Sequence, residues 1–201
     1  MPSDPSDRAL IQIVDAAVAE ASRRSGDWLL CRPGCTQCCH APFAITSLDA
    51  QRLADGLAEI AQSDAARVQR VRLRASAYIV EMGASAYPGD FATGELFDED
   101  ALPDSMDTAA CPALDPESGC CDVYEFRPIT CRTFGPPGWV THVETGAESL
   151  AACELCYNGA TDEQIAACAV DTDPDGIEAA LLADLDSNGV RGATIVAFAV
   201  R

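Results

Sequence analysis

Residues 31–39 read Cys31-Arg32-Pro33-Gly34-Cys35-Thr36-Gln37-Cys38-Cys39, and His40 follows. Four soft donors fall in one short stretch beside a proline and a glycine, a composition that favours an irregular loop over any ladder-forming element. Such a loop needs an organising ligand. The two-residue interval between Cys35 and Cys38 is the one by which two thiolates of a single turn grip one ion. The adjacent pair Cys38-Cys39 is less regular, because neighbouring side chains usually diverge. One of the two is left to serve a second ion, bridge two ions or stay unligated.

A second thiol-rich stretch, CPALDPESGCCDVYEFRPITCRTFGPPG, starts at Cys111 and is again broken by Pro and Gly. Only Val123-Tyr124-Glu125-Phe126 is long enough there for a brief regular piece. The intervals separating Cys111, Cys120, Cys121 and Cys131 are too wide for one knuckle, so these residues are expected to join the first set and fill at most two tetrahedral sites. Thiolate ligands select zinc, copper(I) or iron–sulfur clusters, and spacing alone does not separate them.

Between the two loops the chain reads as helix. Thr46 followed by Asp49 resembles a helix start, and Leu48, Leu53, Leu57 and Ile60 continue at helical spacing. Ser63 is placed to cap a further helix through Val68, Val71, Leu73 and Ile79 toward Met82. From Tyr87 to Met106 the signal fades among prolines, glycines and acids, which reads as a long loop or broken helix. Upstream, Leu10, Ile13, Val14, Ala17 and Val18 mark an amphipathic helix that Gly26 would stop. Downstream, Thr161 and Gln164 form a capping-box pattern for a short helix carrying Cys168, and Asp173-Pro174 starts another that ends near Ser187. Asn188-Gly189 is a turn, and the tail ATIVAFAV is open to strand or helix. The expected fold is mainly α: a small helical domain with two irregular cysteine-rich loops organised around a metal site, with room for a short β element. The expected organisation is an N-terminal helix over 1–28, a cysteine-cluster metal-binding domain over 29–158 and a C-terminal helical extension over 159–201 packed on that domain.

Composition narrows the partners. The 201 residues carry 32 acids against 13 bases, all of them Arg, for a net charge of -19. Affinity for nucleic acid comes largely from cations that displace counterions, so DNA and RNA are not expected partners. No apolar run reaches the roughly 20 residues of a bilayer span, so no membrane is expected either. The beginning, MPSDPSDRALIQIVDAAVAEA, has acids where a secretory leader carries positive charge, which makes a cytoplasmic setting the expectation. In that compartment, eleven cysteines clustered at short spacing read as metal ligands or redox groups and not as disulfide partners.

The order Cys31-x3-Cys35-x2-Cys38-Cys39, then Cys111-Pro112-x-Leu114, then Cys121-x-Val123-Tyr124-Glu125-x-Arg127-Pro128-x-x-Cys131-Arg132, resembles the YkgJ-type cysteine-cluster family of zinc- or iron-chelating proteins. The resemblance spans Cys31 to Cys156. It implies metal ligation at Cys31, Cys35, Cys38, Cys39, Cys111, Cys121 and Cys131, with zinc or iron as the ion and an iron–sulfur cluster as one form the iron could take. Cys120 departs from the pattern, which has one cysteine before the Val-Tyr pair, and reads as an extra thiol. Cys153-x2-Cys156 falls where many members carry a late cysteine. Arg127 and Arg132 occupy the Arg-Pro and Cys-Arg positions, where a guanidinium can offset thiolate charge by hydrogen bonding to sulfur. The alternative for them is a surface ion pair with Glu125 or Asp122.

Other donors are weaker candidates. His40 could complete a site, although a lone loop histidine is more often solvent-facing. His142 has no ligand spacing to either cluster. Asp171-x-Asp173-x-Asp175-Gly176 and Asp184-x-Asp186-x-Asn188-Gly189 begin like calcium loops, but Leu182 and Ile195 stand where the bidentate Glu belongs, so both read as caps and turns. The expected function is cysteine-ligated metal binding without an assigned cellular role. Two alternatives stand beside it: an iron–sulfur or metal-dependent enzyme, since the arrangement is similar to the cluster region of flagellin lysine methylases, and metal storage or delivery, for which exposed surplus thiols would serve. Whether the chain is an enzyme stays open, and no Gly-rich cofactor fingerprint is present.

Overall fold

The computed structural model describes residues 5–32, 34–141, 146–173, 175–190 and 192–201. The chain is mainly α, as expected. Its helices are α1 (Pro5–Ser25), α2 (Ser47–Ser63), α3 (Ala65–Met82), α4 (Ile129–Thr133), α5 (Asp162–Ala167), α6 (Ile177–Ser187) and α7 (Val196–Ala199). Among the described residues six short strands accompany them: β1 (Ala44–Ile45), β2 (Gly89–Asp90), β3 (Glu95–Leu96), β4 (Gly138–Thr141), β5 (Glu148–Ala151) and β6 (Thr194–Ile195). They pair antiparallel as β1–β6, β2–β3 and β4–β5. Among the described residues no helix is long and apolar enough to cross a membrane.

Two compact units divide the chain discontinuously. The first comprises Met1–Ser3, Pro33–Pro128 and Ala180–Arg201, and the second Asp4–Arg32 and Ile129–Ala179.

In the first unit α2 and α3 follow one another, as the periodicity predicts. The Thr46 hydroxyl accepts from the Asp49 N–H and so satisfies one of the orphan donors at the start of α2. The cap of α3 is Asp64, whose carboxylate accepts from the Arg67 N–H, whereas Ser63 is the last residue of α2 and turns its hydroxyl back to the Ile60 carbonyl. Of the expected stripe, Leu53, Leu57, Val68 and Val71 are buried in one core, together with Ala75, Ile45, Ala113, Val123, Val196 and Val200. Each such Leu or Val contributes about 1.5–3 kcal/mol on burial. Leu73, by contrast, is 63% exposed. Cys111 and Cys121 pack against this core from its edge.

The stretch expected as a long loop or broken helix holds a hairpin instead. Gly89 pairs with Leu96 and Asp90 with Glu95. The turn closes by the Gly94 N–H donating to the Asp90 carbonyl at 2.7 Å, with Gly94 in the left-handed region at φ +84°. Tyr87 and Leu96 thereby join Tyr78, Met82, Met106, Ile195, Ala197 and Phe198 in a second cluster. Strands this short leave no alternation to read, which is why the pattern is silent. The tail resolves as both readings in succession: Thr194–Ile195 pairs with β1, and α7 follows at once.

In the second unit α1 buries Leu10, Val14 and Ala21, while Ile13 stays 37% exposed. α1 ends where Gly26, at φ +50°, opens a 3-10 turn over Gly26–Trp28. The capping box of α5 forms in full, with the Thr161 side chain on the Gln164 N–H and the Gln164 side chain on the Thr161 N–H. Cys168 is its C-cap and not a residue inside it. The Asp173 carboxylate accepts from the Ile177 and Glu178 N–H groups at 2.7 and 2.9 Å, so the calcium-like pattern is a helix cap. Pro174 and His142 lie outside the described residues.

Candidate metal centre

The first loop is partly regular. Gln37–Cys39 form a 3-10 turn closed by the Cys39 N–H on the Thr36 carbonyl at 2.8 Å. With three residues per turn, consecutive side chains stand about 120° apart. The sulfurs of Cys38 and Cys39 nonetheless meet in a hydrogen bond. His40 also leans on this turn, with Nδ1 3.0 Å from the Thr36 carbonyl. A carbonyl only accepts, so Nδ1 is the donor in this contact.

A short antiparallel ladder brings the second stretch alongside. His40 bridges to Ala110, the Cys111 N–H donates to the Cys39 carbonyl at 2.8 Å, and the Ala41 N–H donates to the Ala109 carbonyl at 3.1 Å. Cys39 and Cys111 are thus set side by side. Beyond Cys111 the chain reverses: Leu114 bridges to Cys121, with bonds from Asp115 N–H to the Cys120 carbonyl (2.8 Å) and from Asp122 N–H to the Ala113 carbonyl (2.7 Å). Backbone pairing, and not sequence proximity, therefore gathers Cys38, Cys39, Cys111 and Cys121.

The electrostatics reflect that gathering. The Cys38 thiol is lowered to about 6, first because the Cys39 S–H donates to its sulfur, with burial opposing and the charges of Arg127 and His40 assisting. Cys39 is raised for the complementary reason: it keeps the shared proton, is partly buried, and faces Cys38, Cys111 and Cys121. Burial pushes Cys111 up to about 12, and Cys121 and Cys38 add to the rise. Cys121 is raised by burial too, while Arg127 and Arg67 pull it back.

Two arginines of α3 that sequence reasoning passed over support this group. Arg74 donates from Nε to the Pro112 carbonyl at 2.8 Å and from Nη2 to the Asp122 carboxylate at 2.5 Å. It ties together the residues that directly follow Cys111 and Cys121. Arg67 Nε stands 3.2 Å from the other oxygen of Asp122. The only available signal was the seven-residue interval from Arg67 to Arg74, two helical turns on one face. Arg127 stacks 3.8 Å over the Tyr124 ring and donates to the Tyr124 carbonyl, with its charge reaching Cys38 and Cys121. Asp122, offered as one ion-pair partner for it, is held by Arg67 and Arg74.

The other expected ligands are placed differently. Cys35 is half-buried ahead of the 3-10 turn in the same unit. Cys31 and Cys131 belong to the second unit, Cys31 exposed and Cys131 within α4 instead of a loop. Arg132, next to Cys131, is buried with Nη1 2.8 Å from both oxygens of Asp15 on α1. Cys120 is exposed, whereas Cys153, Cys156 and Cys168 are buried together around Tyr157. Buried thiols do not suit the storage reading, which wanted them accessible.

In chemistry the donor set fits a thiophilic ion: thiols with an imidazole beside them and guanidinium groups near. Among the described residues, no three His, Cys, Asp or Glu side chains stand close enough together to hold one. Ligation therefore requires the thiols to draw in and surrender protons, which is the usual linkage of metal binding to local folding.

No curated protein and no solved structure matches the chain. A family model named CxxCxxCC and described as "Putative zinc- or iron-chelating domain" matches residues 30–157, bearing out the resemblance carried by the cysteine order. On that match, which covers well over half of its length, the chain belongs to the CxxCxxCC family.

Proposed function

We propose that the chain chelates zinc or iron through thiolates of Cys35, Cys38, Cys39, Cys111 and Cys121, with Cys38, Cys39, Cys111 and Cys121 as the nucleus. The observation that carries this reading is the backbone pairing that sets Cys111 beside Cys39 and brings Cys121 back opposite Leu114. A bound ion would supply the positive charge that lets all four lose their protons. The chain's own part is to hold the sulfurs near one another, through the 3-10 turn, the ladder and the Arg74 bridge. The charges of Arg127 and Arg67 reach the group as well.

Chelation is favoured over substrate chemistry at this place because the cavity bordering Cys111 measures about 10 Å³. Small-molecule sites run to roughly 300–1,000 Å³. A reducing, cytoplasmic setting accords with the thiol count, and the net charge of -19 accords with a cation as ligand and no nucleic acid as partner.

The test is metal analysis and visible absorption of anaerobically purified protein, with a Cys111→Ser, Cys121→Ser variant alongside. Stoichiometric zinc or iron in the parent and its loss in the variant is the expected result. Folded parent protein without metal, and unable to take up either ion, would overturn the proposal.

A further inference from the structure

A second thiol arrangement lies in the other unit and plays no part in the proposed ligand set. Cys153, Leu155 and Cys156 belong to a turn that leaves β5, closed by the Cys156 N–H on the Cys153 carbonyl at 2.8 Å. A hydrogen-bonded turn of four residues keeps its end Cα atoms within about 7 Å. A disulfide needs Cα atoms about 4.4–6.8 Å apart. The turn thus holds the two cysteines at bridging separation without strand or helix to pull them apart.

Three features bear on reactivity. The Leu30 N–H donates to the Cys156 sulfur at 3.4 Å, which fixes the direction in which that sulfur points. An open cleft of about 430 Å³ is lined by both cysteines together with Leu150, Tyr157, Glu154 and Asp162. Both cysteines are nearly buried, 4% and 6% exposed, so the cleft is what admits a reagent to them. The cleft is large enough for a small organic molecule, and its two carboxylates, in a chain of charge -19, disfavour an anionic one.

We propose that Cys153 and Cys156 form a thiol–disulfide exchange site whose substrate is a neutral or cationic low-molecular-weight disulfide. The Cys156 thiolate attacks one sulfur of the small disulfide; that S–S bond breaks, and the first half leaves as a thiolate that takes up the proton given up by Cys156. A mixed disulfide remains on Cys156. The Cys153 thiol then loses its proton and attacks the Cys156 sulfur, expelling the second half, which takes that proton. The protein loses two electrons and two protons to a disulfide, and the small disulfide becomes two thiols. Cys168, the third buried thiol of the cluster, takes no part.

Protein as isolated, with its metal content measured, is incubated anaerobically with cystamine or with oxidised glutathione, then alkylated and peptide-mapped. The expected product is a Cys153–Cys156 disulfide, reversed by dithiothreitol, formed about tenfold faster with cationic cystamine than with anionic glutathione disulfide, the two rates converging at high salt. Cys153→Ser should trap one half of cystamine on Cys156, and Cys168→Ser should react as the parent does. The map of the parent needs no variant to fold. Cys153 and Cys156 remaining fully alkylatable would overturn the proposal. So would pairing of either one with Cys168, or release of metal in step with their oxidation, which would make them ligands.

Discussion

Replacing Gly56 with alanine in the middle of α2 should destabilise the chain, although glycine to alanine in a helix interior ordinarily stabilises by about 1 kcal/mol. A Cβ at this position would lie 2.1 Å from Cγ, 2.5 Å from Cδ2 and 2.6 Å from Cβ of Phe126. Carbon atoms in contact rest at about 3.5–4.0 Å, so a shift of roughly 1 Å or more is required. The contact is with the root of the side chain, which no rotamer change can move away. Phe126 ends the 3-10 turn Tyr124–Phe126, and Val123 before it is only 2% exposed. Displacing Phe126 therefore pulls on the segment that carries Cys121. Overpacking of a filled site costs typically about 1–3 kcal/mol, and this overlap belongs at the upper end. Setting about 3 against the helix gain of about 1 leaves a net loss of about 2 kcal/mol. Urea unfolding should show a midpoint lower by about 1 M at an unchanged slope. A Gly56→Ala, Phe126→Ala double variant should lose less than the sum of the two single losses, because the ring contacts vanish together. A raised midpoint for Gly56→Ala, or strict additivity in the double variant, would refute the argument.

The metal-free chain should be alkylated by iodoacetamide first at Cys38, with a midpoint near the value of about 6 to which its thiol is lowered, while Cys111, pushed up to about 12, stays protected through neutral pH. The same shifts set a stability profile. An unfolded thiol titrates near 8.5. Between about pH 6 and that value the unfolded chain binds the Cys38 proton that the folded chain has lost, so this contribution rises with pH and vanishes as pH falls through 6. Above it, folded Cys111 keeps a proton that the unfolded chain loses, so stability falls again toward pH 12. Denaturant midpoints of metal-free protein across this range check both slopes, and a monotonic rise through pH 11 would contradict them. Asp15→Ala should cost about 1–3 kcal/mol, since it removes the carboxylate that takes two contacts from buried Arg132; a thermal midpoint equal to that of the parent would show the pair to be idle.

Several local features were legible because their chemistry acts within a few residues. The Thr46 cap, the Thr161–Gln164 capping box, the Asp173 cap and the Gly26 stop each depend on one side chain and the backbone beside it. The apolar stripes of α1, α2 and α3 were visible for the same reason, since their period is a property of the helix itself. Ser63 failed where two neighbours competed for one capping role, and the better acceptor, Asp64, won. The β2–β3 hairpin failed because two-residue strands leave no period to count.

The cysteine order alone determined the family and the thiophilic character of the candidate site, because donor type and spacing are carried by the residues themselves. Which thiols share a proton, and which arginines stand by them, was decided only by the tertiary structure. The Cys39–Cys111 pairing, the return of Cys121 beside Leu114 and the Arg74 bridge all join residues far apart in the chain. So does the burial of Cys153, Cys156 and Cys168 around Tyr157. Contacts of that kind depend on how helices and short ladders pack in three dimensions, and spacing along one dimension does not encode them.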